Sequence, residues 1–541
     1  MNPCMKSILQ AGLGALVIAA LTSGAARNAA SPSGSPDSHP PVYPLKLSDN
    51  RRYLVDWSGT PFLIVGDTPQ GLMGRLSEDD AAFYFADREA HGFNTLGWID
   101  VACAGNDYPA NIYAATPDGI RPFTGFVGNG TDYKNYDLSK PNEAYFVRLD
   151  HMIQLATKHH LAVFLDPIET IGWLPTLRNN GVKAGYAYGQ YLGNRYRSFP
   201  NVLWLNGNDF NTWTVPSDDD LVQAVARGIR SVSPGQLQTV ELHVRTSSSF
   251  DDPRWIPLSE LNSTYTYSPT YMQMLHSYNQ KPIAPAYLVE AHYELEDVGW
   301  PRDFGTPLVL RKEGYWTMLS GGVGQFYGNM YTWSFKGGWK SHIDTPGVEQ
   351  LEIWKKFFSS IRWQDLVPDQ DQSVITAGAG TYGDVNTRVS ESDYSTAART
   401  EDGSLVVVYV PTVREIVINM LALRSVARAR WFDPSTGNYQ DIEGGPFSNT
   451  GSRPFTPPGK NHDGDGDWVL LLEASGANYQ GQISKWIIPK RGNYSMSDVR
   501  TVRLESWFGT LKLSNGSRAK VRNIPSAIFA HAMLHQEFTS T

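Results

Sequence analysis

The chain has 541 residues, with 46 Lys+Arg against 54 Asp+Glu, and 41% of its residues are apolar. This apolar content permits large cores and excludes a disordered chain. The net charge of −8 argues against nucleic acid as a partner, because phosphate binding requires a positive surface. Two cysteines are too few for a disulfide scaffold.

The first residues have the pattern of an export signal. Lys6 precedes an apolar run from Ile8 to Leu21, and small residues follow at positions 24–26. We therefore predict a signal peptide over residues 1–30 and a Ser/Pro-rich linker over residues 31–44. The mature protein is then secreted or periplasmic, without stable membrane insertion. A membrane anchor is the alternative interpretation, although the run is short for a span.

Short runs of β-forming residues recur between helical patterns through the next three hundred residues. The eight predicted strands are Phe62–Val65, Asn94–Asp100, Leu161–Asp166, Val202–Leu205, Thr239–Val244, Thr264–Tyr267, Ala286–Glu290 and Gly324–Tyr327. Several are continuously apolar, as expected for parallel strands buried on both faces. Eight strand–helix units predict an α/β fold, a (β/α)8 TIM barrel over residues 45–368. A doubly wound open sheet is the alternative, but no G-x-G-x-x-G motif follows the first strand.

Three helices between these strands have recognisable sequence signals. A capping box at residues 77–80 predicts a helix that ends near Gly92. A third helix is predicted from Asp218 to Ile229, with acids at its positive end. The helix between these two presents one apolar face, formed by Phe146, Leu149, Ile153 and Ala156.

The pattern changes after about residue 369. Short β runs and turns predict a small antiparallel β-sandwich over residues 369–474. Its acidic run Asp463–Asp467 suggests a calcium loop, but Trp468 stands where an EF-hand requires glycine, so we predict a polar turn. Residues 475–541 form a basic tail of unknown structure, since residues 481–541 carry nine Lys+Arg against three acids.

Polar residues stand at the carboxyl ends of the predicted barrel strands, where such barrels carry their active sites. A single loop carboxylate more often serves a turn. The pair Asp209 and Glu290 is a stronger signal, because it closes the fourth and seventh strands across the barrel mouth. Opposed carboxylates are what glycosidic cleavage requires: one protonates the leaving oxygen and the other attacks the anomeric carbon. We expect the charge of Glu290 to raise the pKa of Asp209.

Other strand-end residues are candidates for contacts with a sugar. They are Asp67, Trp98, Asp100, Asn208, His243, His292 and Tyr293. We predict no metal and no cofactor, since the chain has no H-E-x-x-H motif, and no G-x-S-x-G nucleophile elbow is present.

Several motifs resemble the apiosidase-like (β/α)8 family, which includes glycoside hydrolase family 140. They include Gly66-Asp-Thr-Pro69, Gly92-Phe-Asn94, Tyr188–Tyr196 and Pro200–Trp204. Trp431-Phe-Asp-Pro434 and Asp467-Trp-Val469 resemble a second module, named for collagen binding, that often follows this barrel. None of its residues indicates collagen binding, and we expect it to pack against the barrel.

The resemblance implies a retaining, exo-acting glycosidase that acts on plant cell-wall or pectic side chains and releases apiose. It implies Asp209 as acid/base and Glu290 as nucleophile. The chain departs from the family pattern at Gln70-Gly71, where an aromatic residue is usual, and at Asn208, where the pattern is Gly-Gly-Asp. Both departures would face the pocket.

Three hypotheses follow for a carbohydrate ligand. A retaining glycosidase requires the two carboxyl groups about 5–5.5 Å apart, and an inverting one requires about 6.5–9.5 Å. A non-catalytic carbohydrate- or matrix-binding protein on a barrel scaffold would place them farther apart or block the mouth. The sequence leaves the sugar and the oligomeric state open.

Overall fold

The computed structural model describes residues 40–103, 111–243 and 245–476, and two short strands, Thr510–Lys512 and Arg518–Lys520. The two short strands pair antiparallel. The predicted signal peptide, most of the linker and most of the basic tail lie outside the described residues. Within the described part, no helix combines the length and apolarity needed to cross a membrane.

Eight parallel strands form the barrel, and each overlaps one of the predicted strands. They are β1 Ile64–Asp67, β2 Thr95–Asp100, β3 Ala162–Asp166, β4 Val202–Phe210, β5 Gln238–Leu242, β6 Asn262–Thr266, β7 Ala286–Glu290 and β8 Gly322–Tyr327. They pair in the order β5-β4-β3-β2-β1-β8-β7-β6. The TIM-barrel prediction is therefore confirmed.

The two ends of this sheet are joined without a backbone ladder, by side-chain contacts and a backbone hydrogen bond from the N–H of Glu260 to the carbonyl of Gln238 at 2.9 Å. Thr239 on β5 donates a hydrogen bond to the carbonyl of Leu261 at 3.0 Å, and its hydroxyl lies 2.8 Å from that of Ser263 on β6. The outer edge of β6 pairs instead with a short antiparallel strand, Thr246–Ser248. The β5–β6 connection therefore interrupts the regular strand–helix alternation.

Helices cover the outside of the barrel. They are α1 Leu72–Arg75, α2 Glu78–Ala90, α3 Glu143–Lys158, α4 Thr170–Tyr196, α5 Pro216–Val232, α6 Thr270–Asn279, α7 Pro307–Leu319 and α8 Pro346–Ser359. Ser77 caps α2 as predicted, since its hydroxyl accepts a hydrogen bond from the backbone N–H of Asp80 at 3.0 Å. The predicted apolar face of α3 is buried.

Phe326 on β8 fills the centre of the barrel. A Cβ atom at Gly66 would lie 2.2 Å from its ring, and one at Gly97 would lie 2.5 Å away. Its ring also packs edge-on against Phe164 on β3. Small residues on β1 and β2 thus make room for one large ring, which closes the barrel below its mouth.

Two antiparallel sheets follow the barrel, as predicted. One has the order β9-β11-β12-β17-β14-β15 and the other β10-β13-β16. Their bounds are β9 Leu366–Pro368, β10 Ile375–Ala377, β11 Thr396–Thr400, β12 Leu405–Val410, β13 Ile416–Asn419, β14 Ala427–Phe432, β15 Tyr439–Asp441, β16 Ser452–Phe455 and β17 Trp468–Ala474. Apolar residues of both sheets share one core.

The two central strands of the larger sheet, β12 and β17, are buried on both faces. Along β12, Val406 and Val408 face the sandwich core, whereas Val407 and Tyr409 belong to the barrel's core. Tyr409 stacks on Tyr315 of α7 with ring centroids 5.0 Å apart. This explains the unbroken apolar run of β12 and agrees with the expectation that the second domain packs on the barrel.

The acidic run on the second domain binds an arginine of the barrel. Arg311 on α7 donates to both carboxylate oxygens of Asp467, at 3.0 and 2.8 Å, and to Asp465 at 2.6 Å. Arg311 and Asp467 are buried. The residues that suggested a calcium loop are thus turn residues that join the two domains by a charge-assisted hydrogen-bond network.

Candidate active site

Three carboxylates meet at the mouth of the barrel, at the ends of β4, β5 and β7. Asp209, Glu241 and Glu290 each present a carboxylate oxygen, and these oxygens lie within 4.8 Å of one another. The structure thus brings the predicted pair Asp209 and Glu290 together and adds Glu241, which the sequence prediction left out of the site. Glu241 and Glu290 are buried, whereas the side chain of Asp209 is 22% exposed. Asp209 is thus the member of the cluster that faces the outside.

An irregularity in β4 directs Asp209. Asn206 pairs with Val240 and Phe210 pairs with Leu242. Between these two pairs β4 advances by four residues, whereas β5 advances by two. Within this bulge Gly207 has a φ of 67° and Asp209 a φ of 47°. Left-handed backbone is costly for a residue other than glycine, and such strain concentrates at functional sites.

The end of β2 has a similar irregularity. The register with β3 shifts between Leu96 and Ile99, and Trp98 has a φ of 52°. Trp98 is fully buried, and its indole N–H has no hydrogen-bond partner among the described residues. Two of the predicted site residues, Trp98 and Asp209, therefore lie on strained strand ends. A glycine stands close before each of them in the sequence, at positions 97 and 207.

Two tyrosine hydroxyls donate hydrogen bonds to Glu290. Tyr267, just after β6, donates at 2.5 Å, and Tyr293 donates to the other oxygen at 3.2 Å. The side-chain amide of Gln70 donates in turn to the Tyr293 hydroxyl at 3.0 Å. Tyr293 was a predicted site residue, but Tyr267 and Gln70 were not. Gln70 stands at a position where the chain departs from the family pattern. This departure was the sequence feature that could have identified Gln70 as a site residue.

Burial is the main electrostatic influence on the three carboxylates. It raises the pKa of Glu290 well above its usual range, the charge of Asp209 adds to this, and the two tyrosine hydroxyls oppose it. It also raises the pKa of Asp209, which His243 opposes. The predicted direction for Asp209 is thus correct, but the cause is burial rather than the charge of Glu290.

A second acidic group lies beside the first. Burial and the charges of Asp166, Glu169 and Asp209 raise the pKa of Asp100, and one of its oxygens is buried without a hydrogen-bond partner in the described chain. Asp166 accepts hydrogen bonds from the backbone N–H of Ile168 and, at 3.3 Å, from that of Asn208. Asp166 therefore supports the β4 bulge from below.

The remaining predicted sugar contacts divide into two sets. Nδ1 of His243 lies 4.0 Å from Asp209, and the side-chain oxygen of Asn208 is buried without a described partner, so both belong to the mouth. Asp67 is instead enclosed by α2, through an ion pair with Arg88 at 3.1 Å. His292 is held by Glu313 of α7 at 2.6 Å and has no exposed side-chain surface. Contacts of Asp67 and His292 with a sugar stay predictions. The interactions with Arg88 and Glu313 do not favour them, because they already engage these two side chains.

The three carboxylates at the mouth could also surround a cation. Their spacing suits a hard ion with oxygen ligands, and a second group of this kind, Asp87, His91 and Asp344, lies elsewhere in the described chain. The same spacing suits the two-carboxylate chemistry of glycoside cleavage, in which one acid is protonated and one is ionised.

The fold and this site define a (β/α)8 glycoside hydrolase. Residues 48–365 match the family model described as "Apiosidase-like, catalytic domain", and residues 367–473 match that described as "Putative collagen-binding domain of a collagenase". The chain belongs to the apiosidase-like family. No curated protein sequence matches the chain.

Solved structures share this architecture. One titled "Glycoside hydrolase" is 22% identical, with a TM-score of 0.67, and the match covers 80% of this chain and 98% of the other. A glycoside hydrolase family 5 protein from Bacteroides vulgatus ATCC 8482 is 21% identical, with a TM-score of 0.66, covering 80% and 94%. At these identities the likeness shows the fold, and both domains are included in it.

Proposed function

We propose that this protein is a secreted, retaining, exo-acting glycoside hydrolase of plant cell-wall or pectic side chains, with Glu290 as nucleophile and Asp209 as acid/base. The observation that carries the proposal is the approach of Asp209 and Glu290 within 4.8 Å, oxygen to oxygen. This upper limit of 4.8 Å is compatible with the roughly 5–5.5 Å between carboxyl groups in retaining enzymes. Inverting enzymes hold them about 6.5–9.5 Å apart to admit a water.

The contacts of the two residues support different roles. Glu290 accepts two O–H hydrogen bonds, which favour its ionised form, as a nucleophile requires. Among the described residues Asp209 has no comparable donors; desolvation raises its pKa and so favours the protonated form, and its side chain is the most exposed of the three. A leaving group that departs toward solvent would take its proton from Asp209.

The mechanism has two steps on these residues. Glu290 attacks the anomeric carbon as the bond to the leaving oxygen breaks, and Asp209 transfers its proton to that oxygen. Asp209, now ionised, removes a proton from water, which attacks the same carbon and releases Glu290. The proposed exo action rests on membership of the apiosidase-like family.

The test is hydrolysis of plant glycans and aryl glycosides by the purified protein, with the released monosaccharide separated by chromatography. We expect Glu290→Gln to abolish turnover and Asp209→Asn to reduce it by about 10² to 10⁴-fold on natural linkages. Asp402→Asn, an exposed acid of the second domain, is the matched control. Near-normal turnover of either site variant would contradict the assignment.

Azide separates the two roles. It should restore turnover of an activated aryl glycoside in small-side-chain variants of both residues, with a glycosyl azide of retained configuration from Asp209→Gly and of inverted configuration from Glu290→Gly. NMR of the first-formed sugar anomer tests retention directly. An inverted product from the unaltered protein would favour the inverting mechanism instead.

A further inference from the structure

Glu241 is a buried acid that the proposed mechanism does not use. It is 1% exposed, and neither carboxylate oxygen accepts a hydrogen bond of normal geometry from the described residues. The backbone N–H of Asp209 lies near enough to favour its ionised form, but burial and the charges of Glu290, Asp209 and Asp166 act in the opposite direction. No lysine or arginine of the described chain pairs with it.

A matched residue shows how unusual this is. Glu294, in the β7–α7 connection, is also 1% exposed, but it accepts hydrogen bonds from the backbone N–H of Gly347 at 2.9 Å and from the hydroxyls of Tyr327 and Thr345. Buried polar groups are normally satisfied in this way, because an unmade hydrogen bond is costly. Glu241 has no such partners in the part of the chain that the structure describes, and it faces the mouth of the barrel.

The position of Glu241 indicates what would satisfy it. A nucleophile and an acid/base bracket the reacting carbon, so a group with an oxygen within 4.8 Å of both lies beside that carbon. A carboxyl held neutral there offers one donor and one acceptor, which complement a sugar hydroxyl.

We propose that Glu241 is a specificity-determining residue that hydrogen-bonds a ring hydroxyl of the sugar whose bond is cleaved. This inference rests on the proposed function. It assigns to Glu241 recognition of the sugar rather than proton transfer to the leaving group.

The experiment compares Glu241→Gln and Glu241→Leu with the unaltered protein on a glycoside that it hydrolyses. Glutamine keeps a donor and an acceptor, so kcat/KM should stay within about tenfold, whereas leucine should lower it by about a hundredfold or more. The loss should be equal for good and poor leaving groups. A series of monodeoxy glycosides should show one position at which the unaltered protein discriminates and the leucine variant does not.

The outcomes are distinguishable. If the unaltered protein hydrolyses no glycoside, the proposed function fails. If it is active and Glu241→Leu stays within about threefold of it, this inference fails. A loss confined to poor leaving groups and rescued by azide makes Glu241 the acid/base and overturns the inference. An equal loss of kcat/KM in the glutamine and leucine variants also overturns the inference. So does a preference for amino sugars that Glu241→Gln abolishes.

Thermal unfolding supplies a readout that does not need activity. Removing an unsatisfied buried acid should raise Tm in Glu241→Leu, whereas Glu294→Gln, which disturbs a satisfied one, should lower it. A fall in Tm for both would place Glu241 among ordinary structural acids and overturn the inference.

Discussion

At the scale of single residues, hydrogen-bond donors rather than burial distinguish the nucleophile from its neighbours. Asp209, Glu241 and Glu290 all have raised pKa values because they are buried together. Glu290 alone among the three accepts two tyrosine hydroxyls, from Tyr267 and Tyr293. Three carboxyls this close cannot all be ionised, and at Glu290 the two hydroxyl donors lower the pKa against burial and the charge of Asp209.

Tyr267→Phe tests this assignment through pH dependence. Loss of the donor at 2.5 Å should raise the pKa of Glu290 further, so the ionised nucleophile should disappear at a higher pH than in the unaltered protein. The acidic limb of kcat/KM against pH should therefore move upward, and kcat should fall by about tenfold or more. Tyr287→Phe, which removes a buried hydroxyl bonded to Ser263 elsewhere in the barrel, is the control. An unmoved acidic limb would exclude Tyr267 from this role.

We expect Asp166 to make the free energy of unfolding depend on pH. Its burial raises its pKa to about 7 from the ordinary value of 3.8. Between these values the folded state holds a proton that the unfolded chain releases, so stability should fall as pH rises through that window, by up to about 4 kcal/mol. Asp166→Asn should flatten the dependence of Tm on pH between 4 and about 7. Asp402→Asn, whose exposed acid has a lowered pKa, should not. An unchanged slope in Asp166→Asn would contradict the prediction.

The site was predictable from the sequence only in part, for a physical reason. Strand ends identify polar candidates, and Asp209 and Glu290 follow from the order of the strands. The bulge in β4 and the helices outside the barrel decide which side chains point into the mouth. Neither feature can be recognised from the residues next to it in the sequence. Glu241 was therefore not chosen as a site residue, and the predicted site includes Asp67, which forms an ion pair with Arg88 on α2.

At the scale of elements, one glycine pattern explains a family motif. Gly189 and Gly193 on α4 face α5, where a Cβ atom at Gly189 would lie 2.1 Å from the carbonyl oxygen of Val225. A Cβ atom at Gly228 on α5 would likewise lie 2.1 Å from the carbonyl of Tyr186. The motif from Tyr188 to Tyr196 thus specifies a close helix–helix approach rather than chemistry.

Gly189→Ala should therefore destabilise the barrel. The added methyl meets the backbone of α5 at Val225 and Gly228, and overpacking of this kind costs about 1–3 kcal/mol. Gly235→Ala is the control, since a Cβ atom there meets nothing within 4 Å and its φ is not positive. Urea unfolding of both variants measures the difference. Equal midpoints would show that α4 and α5 separate easily.

The barrel strands were predictable because a short, continuously apolar run between helical patterns is typical of a buried parallel strand. Their predicted and observed bounds differ by a few residues, and β7 coincides throughout. The closure between β5 and β6 was not predictable, because it depends on hydroxyl contacts of Thr239 and Ser263, which bring together residues distant in sequence. Similarly, the acidic run Asp463–Asp467 has no local feature that indicates its partner on α7.

At the scale of the whole molecule, the second domain acts as an outer wall of the barrel. Its larger sheet buries Tyr409 against Tyr315 of α7 and Phe432 against Phe357 of α8. It also reaches the barrel's upper connections, where the hydroxyl of Ser268, just after β6, donates to the carbonyl of Val385 at 2.8 Å. An apolar interface of this kind makes the two domains one cooperative unit.

Arg311 is the charged part of this interface and gives the last prediction. Arg311→Met leaves Asp467 buried without its cation, and breaking one side of a buried ion pair costs about 3–5 kcal/mol. We expect a lower Tm and, in calorimetry, separation of one unfolding transition into two, because the domains lose their strongest polar link. Arg428→Met removes an exposed pair with Asp441 in the second domain alone, and it should change Tm little. A single transition at the original Tm in Arg311→Met would show that apolar contacts alone couple the domains.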